Sequence, residues 1–250
     1  MRFSGRVLFA TGAGSGLAAA TARRFTAEGG LVAVADLSAE RAEEVAAGLE
    51  GAVPIACDVS DEESVDAAVA SALEQLGRID AVFNAAAHVV FGPFEDYPLT
   101  EWRRMLDVHL TGTFLVCRRT VPALREAGGG AIVNTASVAA LVARRQLAAY
   151  AAAKGAIMSL TRQLALDLAP EIRVNAIAPG HIRTAMTEPV WLERGKGDVE
   201  QGAEASGREA MLGRVGEAEE IASTVCFLLS DDASYFTAAT LVPDGGMTAV

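Results

Sequence analysis

Short runs rich in Val, Ile, Leu or Phe recur along the chain, at Val7–Ala10, Leu31–Ala35, Val53–Ala56, Ala81–Phe83, Ala131–Thr135 and Arg173–Ile177. Each is too short for a helix and rich in Val, Ile or Phe, which predicts buried strands of a parallel sheet. Between them the apolar positions take a helical period over Leu17–Ala27, Ala39–Leu49, Asp61–Leu76, Glu101–Ala127 and Tyr150–Leu168. Ser60-Asp61-Glu62-Glu63 supplies a capping box for the third helix. Pro122 removes a hydrogen bond from the fourth and should bend or end it nearby. A helix at Glu217–Leu229 and a strand around Thr240–Val242 complete an alternation that predicts an α/β fold, with seven parallel strands in one doubly wound sheet and one domain over residues 1–250. The stretch from Ile182 to Gly213 differs. It scatters Gly195, Gly197, Gly202 and Gly207 among charged residues with weak periodicity, and it is longer than ordinary connections, which predicts a mobile lid over a site.

Composition narrows the range of partners. A chain of 250 residues that is 51% hydrophobic can bury a full core. Its formal charge of −11 repels phosphate backbones and anionic membrane surfaces, so neither nucleic acid nor a membrane is an expected partner. No apolar stretch reaches the roughly 18 residues needed to span a bilayer, and the first strand begins too close to Met1 for a signal peptide, giving a cytoplasmic expectation. Cys57, Cys117 and Cys226 are odd in number and set in apolar segments, reading as core residues of a reducing compartment. His88 and His181 have no metal-ligand spacing to each other, to Cys or to a carboxylate, and no metal is expected.

Candidate chemistry begins where the first strand meets its helix, in Thr11-Gly12-Ala13-Gly14-Ser15-Gly16-Leu17-Ala18. A glycine-rich turn there lets backbone approach a pyrophosphate and offers it N–H groups and the positive end of a helix dipole. Asp36, at the end of the second strand and twenty residues beyond Gly16, can accept from both ribose hydroxyls of a dinucleotide in this Rossmann-type arrangement. Beside it Leu37 and Ser38 are neutral, and no Arg stands alongside to receive a 2′-phosphate.

From this turn to the C-terminus the chain resembles the short-chain dehydrogenase/reductase family. Thr11, Gly12 and Gly16 match the family's T-G-x-x-x-G-x-G, with Ala18 in place of its last glycine. Asp58-Val59 is similar to the pair that touches adenine, and Asn84-Ala85-Ala86-Ala87 to the family's N-N-A-G. Ser137 lies 13 residues before Tyr150, and Tyr150-Ala151-Ala152-Ala153-Lys154 matches Y-x-x-x-K, a spacing that puts Tyr and Lys on one helix face. Arg173-Val174-Asn175-Ala176-Ile177-Ala178-Pro179-Gly180 resembles the strand leading to the family's Pro-Gly turn, after which Ile182 and Thr184 would meet the nicotinamide carboxamide and pyrophosphate. Ala238 or Ala239 stands where a glycine is usual. His109 departs from the pattern, standing where the family has an Asn that helps hold a water in the proton relay.

The resemblance implies NAD(H)-dependent exchange of a secondary alcohol with a ketone. Tyr150 would be the acid/base, its pKa lowered by the charge of Lys154, while Ser137 binds the substrate oxygen and Lys154 the nicotinamide ribose. His109 would hold or pass the relay proton, its imidazole changing charge within the working pH range. Side chains after the fourth and fifth strands and in the lid nominate a substrate pocket of His88, Val90, Phe94, Val138, Gln146, Met186 and Trp191, with Arg144 and Arg145 available to an anionic group. The resemblance also implies pairing of the helices Glu101–Ala127 and Tyr150–Leu168 across subunits, in a homotetramer or, as the alternative, a dimer. Two other functions fit less well. Asp36 opposes an NADPH-dependent oxoacyl-type reductase, and intact Ser137, Tyr150 and Lys154 oppose a nucleotide-sensing regulator with impaired chemistry.

Overall fold

The computed structural model describes residues 1–249. In chain order its elements are β1 (Val7–Thr11), α1 (Gly16–Ala27), β2 (Leu31–Asp36), α2 (Ala39–Ala47), β3 (Val53–Ala56), α3 (Glu62–Leu76), β4 (Ala81–Asn84), α4 (Leu99–Leu106), α5 (Gly112–Glu126), β5 (Gly130–Thr135), α6 (Ala148–Leu168) and β6 (Ile172–Ile177). Then follow β7 (Ile182–Arg183), α7 (Glu188–Arg194), α8 (Val199–Gly207), β8 (Gly216–Glu217), α9 (Ala218–Leu229) and β9 (Thr240–Leu241). The main sheet has seven strands in the order β3-β2-β1-β4-β5-β6-β9, all pairings parallel, and β7 and β8 form a separate two-residue pair.

Both faces of the sheet are covered, which is why its strands are mostly apolar. Leu8 and Ala10 of β1 face a layer that contains Phe25 of α1 and Val225 of α9. Phe9 between them faces the opposite layer, with Val69 of α3 and Val116 of α5. Strand order reverses beside β1, whose neighbours are β2 and β4, and at such a point the loops at the carboxyl ends of the strands open a crevice. Cys57, Cys117 and Cys226 are buried and free, and burial pushes their thiols up to about 11, about 12 and about 12.

Four local expectations are corrected. Asp61, not Ser60, caps α3, its carboxylate accepting from Ser64 N at 3.2 Å, while Ser60 turns back to Asp58. The reciprocal capping box is instead at α9, between Glu217 and Glu220. The predicted helix Glu101–Ala127 starts at Leu99 and is interrupted by a π-helical turn over Asp107–Thr111; Pro122 lies inside α5, which continues to Glu126. The stretch from Ile182 to Gly213 is not one irregular loop, because α7 and α8 pack together through Trp191 and Ala203. Gly202 makes that contact possible, since a Cβ there would stand 1.9 Å from the Trp191 carbonyl oxygen. Among the described residues no helix is long and apolar enough to cross a membrane.

Candidate active site

A cleft of about 500 Å³ opens at the carboxyl ends of the strands. Each strand delivers its residues at the point where it stops: Gly12 after β1, Asp36 at the end of β2, Asp58 after β3, Ala85 after β4, Ser137 after β5, and Pro179 after β6. Of the residues predicted to hold a cofactor, Gly12, Ser15, Gly16, Leu17, Asp36, Leu37, Asp58, Val59, Ala85, Ala86, Tyr150, Lys154, Pro179, Gly180, Ile182 and Thr184 line it. Thr11, Gly14 and Asn84 lie behind the wall and brace it. Thr11 Oγ1 accepts from Ala85 N at 3.2 Å and Ala86 N at 3.3 Å, and Asn84 Nδ2 donates to Asn134 Oδ1 at 2.9 Å. Gly14 N donates to Asp36 Oδ2 at 2.9 Å.

The turn after β1 is shaped for an anion. Gly12 has φ +64°, and a Cβ there would stand 2.8 Å from Ala86 Cα, so only glycine lets the turn lie against the chain leaving β4. Ser15 caps α1 without a side-chain hydrogen bond, and the first turn of α1 carries no acid. The helix therefore presents its N–H groups and positive dipole end to the cleft uncompensated. With Asp36 lining the far wall, the donor set fits a dinucleotide: N–H groups for pyrophosphate and a carboxylate for ribose. Among the described residues no group of three or more His, Cys, Asp or Glu could hold a metal ion. One expectation fails here. Asp36 does have a basic neighbour, because Arg41 Nη2 donates to its Oδ1 at 3.0 Å and Arg41 also lines the cleft.

At the other end Ser137, Tyr150 and Lys154 meet on the same cleft. Ser137 leaves β5 in extended backbone, and Tyr150 and Lys154 sit one turn apart on α6. Lys154 is 2% exposed; its Nζ donates to Thr135 O at 2.6 Å and lies 5.6 Å from the centre of the Tyr150 ring. Desolvation acts on both groups. Burial lowers the Lys154 ammonium to about 7 and raises the Tyr150 phenol, against a hydrogen bond from Ser137 that pulls it down. The expected lowering of Tyr150 by Lys154 is not seen: burial dominates, and the opposing pull comes from Ser137.

His109 falls in the π turn and is 1% exposed, with its ring edge-on to Tyr150 at 5.4 Å between centres. Its Nε2 lies 2.7 Å from His88 O and 3.2 Å from His88 N. One nitrogen cannot donate to the first and accept from the second. The shorter contact, to an oxygen that can only accept, assigns the proton to Nε2. Nδ1 is then a bare acceptor, buried with no partner among the described residues. Burial, reinforced by the Lys154 charge, holds the imidazole pKa well below its usual value, so His109 stays neutral where the sequence suggested a change of charge.

The nominated substrate residues divide. His88 and Met186 line the cleft, and His88 Nε2 is 3.0 Å from Glu101 Oε2. Val138 is buried against Ala210 and Met247, and Trp191 is 1% exposed between α7 and α8, so neither reaches the cleft. Phe94 points to solvent at 76% exposure; Val90 and Gln146 serve the same loop through their carbonyls, accepting from Tyr97 Oη and Gly92 N. Arg144 is held by Glu209 at 2.7 Å. The sequence missed Arg41, Arg104, Val108, Ala185 and Thr187 on the cleft wall. For Arg41 the signal was its place in the first turn of the helix that follows Asp36.

A family model described as enoyl-(acyl carrier protein) reductase matches residues 12–248. Trans-4-hydroxycyclohexanecarboxylate dehydrogenase of Sinomonas cyclohexanicum is 39% identical over 99% of this chain and 95% of its own. The crystal structure of levodione reductase superposes with a TM-score of 0.94 at 40% identity, covering 100% of both chains. The chain belongs to the short-chain dehydrogenase/reductase family. Members of this family are oxidoreductases that use a nicotinamide cofactor. A further member, xylitol dehydrogenase solved with NAD⁺ bound, has a TM-score of 0.90 at 37% identity, covering 97% of this chain and 98% of its own.

Proposed function

We propose that this protein is an NAD(H)-dependent oxidoreductase that interconverts a secondary alcohol and a ketone. The observation that carries the reading is the convergence of Ser137, Tyr150 and Lys154 on the cleft that also holds the glycine-rich turn and Asp36. When bound, the nicotinamide supplies the hydride chemistry. The chain's own residues align the substrate and handle its proton. Ser137 donates to the substrate oxygen, and Tyr150 exchanges a proton with it. Lys154, with its pKa of about 7, gains and loses a proton near neutral pH, where a relay group works best, and also binds the nicotinamide ribose. His109 holds the relay through its bare Nδ1, as an acceptor toward water or toward the Lys154 ammonium. His88 and Met186 contact the substrate, and α7 and α8, within 182–213, act as its lid.

Asp36 supports NAD(H) over NADP(H), and a relative solved with NAD⁺ agrees with that choice. We place the enzyme in the cytoplasm, its buried free thiols suiting a reducing compartment, as a homotetramer. Phe114 on α5 is 45% exposed and Leu166 on α6 74% exposed, giving the two pairing helices apolar contacts to bury. Light scattering on purified protein tests the assembly. The decisive experiment is kcat/KM for NAD⁺ and NADP⁺ across a panel of secondary alcohols, including cyclic alcohols and vicinal diols. Turnover of at least one alcohol with NAD⁺ preferred is expected; binding of NAD⁺ without turnover of any would overturn the catalytic reading.

A further inference from the structure

Beside the reaction centre the cleft wall carries an imidazole fixed from two sides. His88 O accepts from the His109 ring at 2.7 Å, and His88 Nε2 lies 3.0 Å from Glu101 Oε2. Tyr97 Oη closes the loop between these two residues by donating to Val90 O at 3.0 Å. Glu101 sits in the first turn of α4 and is not part of the cleft wall, so it meets the ring from behind. A carboxylate oxygen only accepts, which puts the ring proton on Nε2 and leaves Nδ1 of the neutral imidazole as a lone-pair acceptor. Nδ1 has no partner among the described residues. It is also not one of the sealed polar atoms, which belong to Thr26, Asn84, Thr135 and His109, so it is open. The neighbours of His88 on this wall, Ala85, Ala86 and Ala87, carry no polar side-chain atom, and Met186 is apolar as well. With Ser137 and Tyr150 committed to the reacting oxygen, His88 brings an unspent acceptor to the substrate end of the cleft.

We infer that His88 reads a second hydroxyl on the substrate, so that the alcohols this enzyme takes best are diols, and that Glu101 fixes the tautomer that makes the ring an acceptor. This rests on the reading that the reacting oxygen lies between Ser137 and Tyr150. A hydroxyl opposite Nδ1 donates to it. An ether or carbonyl oxygen in the same place has nothing to donate and sets lone pair against lone pair, and an alkyl group strips water from Nδ1 without replacing the bond. A site built around such an acceptor therefore discriminates by more than the worth of one hydrogen bond, about tenfold or more. His88 touches the substrate, and Glu101 is a positioning residue that acts through it. An amide could not take its place unnoticed, because it donates as well as accepts and would let the ring proton move to Nδ1.

The test is kcat/KM with NAD⁺ for cyclohexanol, cyclohexane-1,2-diol, cyclohexane-1,4-diol and the monomethyl ether of each diol, in the parent, His88→Phe, His88→Ala and Glu101→Gln. Each ether keeps the second oxygen and removes its proton. Both His88 variants retain the main-chain carbonyl that holds His109, and His88→Phe keeps a ring in case the smaller residue disturbs the loop. The parent is expected to take at least one diol about tenfold or more better than its ether and cyclohexanol. Both His88 variants should bring that diol:ether ratio to about one, and Glu101→Gln should lower it by freeing the tautomer, an effect that a merely structural role for either residue does not produce. If alcohols are oxidised but no diol exceeds its ether, or if the ratio persists in His88→Phe or in Glu101→Gln, the inference falls alone. If the parent binds NAD⁺ and oxidises none of these alcohols, the reading of the cleft falls and takes the inference with it.

Discussion

Replacing Lys154 with Met should yield a protein that is inactive but more stable, and more so at low pH. The ammonium is 2% exposed and burial lowers its pKa from 10.5 to about 7. Between those two values the unfolded chain carries the proton and the native protein does not, so stability rises with pH across that window. Below about 7 both states are protonated and the whole cost is present. At about 1.4 kcal/mol per pH unit, the gap amounts to about 5 kcal/mol. Met keeps the aliphatic stem but gives up the 2.6 Å bond to Thr135 O, and an unpaired buried carbonyl costs about 1–3 kcal/mol. The net gain at pH 6 is then about 2–4 kcal/mol, which in a chain of this size corresponds to about 5–10 °C in Tm. By pH 10 the ammonium's cost has nearly vanished and the lost hydrogen bond dominates, so the gain should disappear or reverse. Thermal melts of the cofactor-free parent and variant at pH 6, 8 and 9.5 check this, since other titrations are common to both proteins. A variant that melts at or below the parent at pH 6, or a gain that does not change with pH, would refute the argument.

Tyr150→Phe removes the transferable proton without touching the glycine turn, so NAD⁺ should bind in calorimetry with near-parental affinity while kcat falls by about a thousandfold. His109→Asn should retain activity and overlay the parent's pH profile, because the imidazole it replaces is held neutral; His109→Ala should lose activity, and an Ala variant that matches the parent at every pH excludes His109 from the relay. Ala238 sits at φ 60°, a conformation that costs a non-glycine residue about 1 kcal/mol, so Ala238→Gly should raise or leave unchanged the denaturation midpoint despite its looser unfolded chain; a clear loss would mean that the methyl packs usefully. Gly202→Ala would place a carbon 1.9 Å from Trp191 O, forcing α7 and α8 apart, with a lower Tm and a raised substrate KM as the expected readings.

Much of this architecture is legible in the sequence because its determinants are local. A strand covered on both faces is apolar along most of its length, so β1 and β2 announce themselves without alternation. The Y-x-x-x-K spacing is a statement about helix geometry, and Asp36 is placed by the length of one strand-helix-strand unit. What escaped depends on contacts between distant segments or on direction. The π turn at Asp107–Thr111 adds a residue to the ladder without altering composition, so periodicity could not reveal it. The 7 residues of α7 are too few to show a period, and α8 was hidden by Gly202 and Gly207, which weaken helical propensity; here Gly202 is there to admit a backbone. Trp191 and Val138 were nominated for the cleft by position in the chain, but each turns into a packed cluster instead. Arg41 comes back to Asp36 across a strand-to-helix turn, a contact set by the angle at which α2 leaves the sheet.

Four buried side-chain polar atoms have no protein partner among the described residues: Thr26 Oγ1, Asn84 Oδ1, Thr135 Oγ1 and His109 Nδ1. Three of them belong to the region behind Tyr150. Asn84 and Asn134 are paired across β4 and β5, Thr135 is the next residue of β5 and bonds Lys154 through its carbonyl, and the His109 ring stands edge-on to Tyr150. Buried polar groups are ordinarily satisfied, and each exception carries a cost of the kind worked out for Lys154. If such costs arose from imperfect packing they would be scattered through both layers of the core, yet buried polar groups in those layers such as Thr21 and Thr120 are satisfied, and three of the four exceptions gather where α6, β4, β5 and the π turn meet. The π turn is part of the same arrangement, since it lies in the helix that delivers His109 to His88 O and thereby fixes which ring nitrogen is left bare. A lysine titrating near neutrality beside fixed, unspent acceptors is what proton movement requires, and a fully satisfied core would leave nothing for the proton to move to.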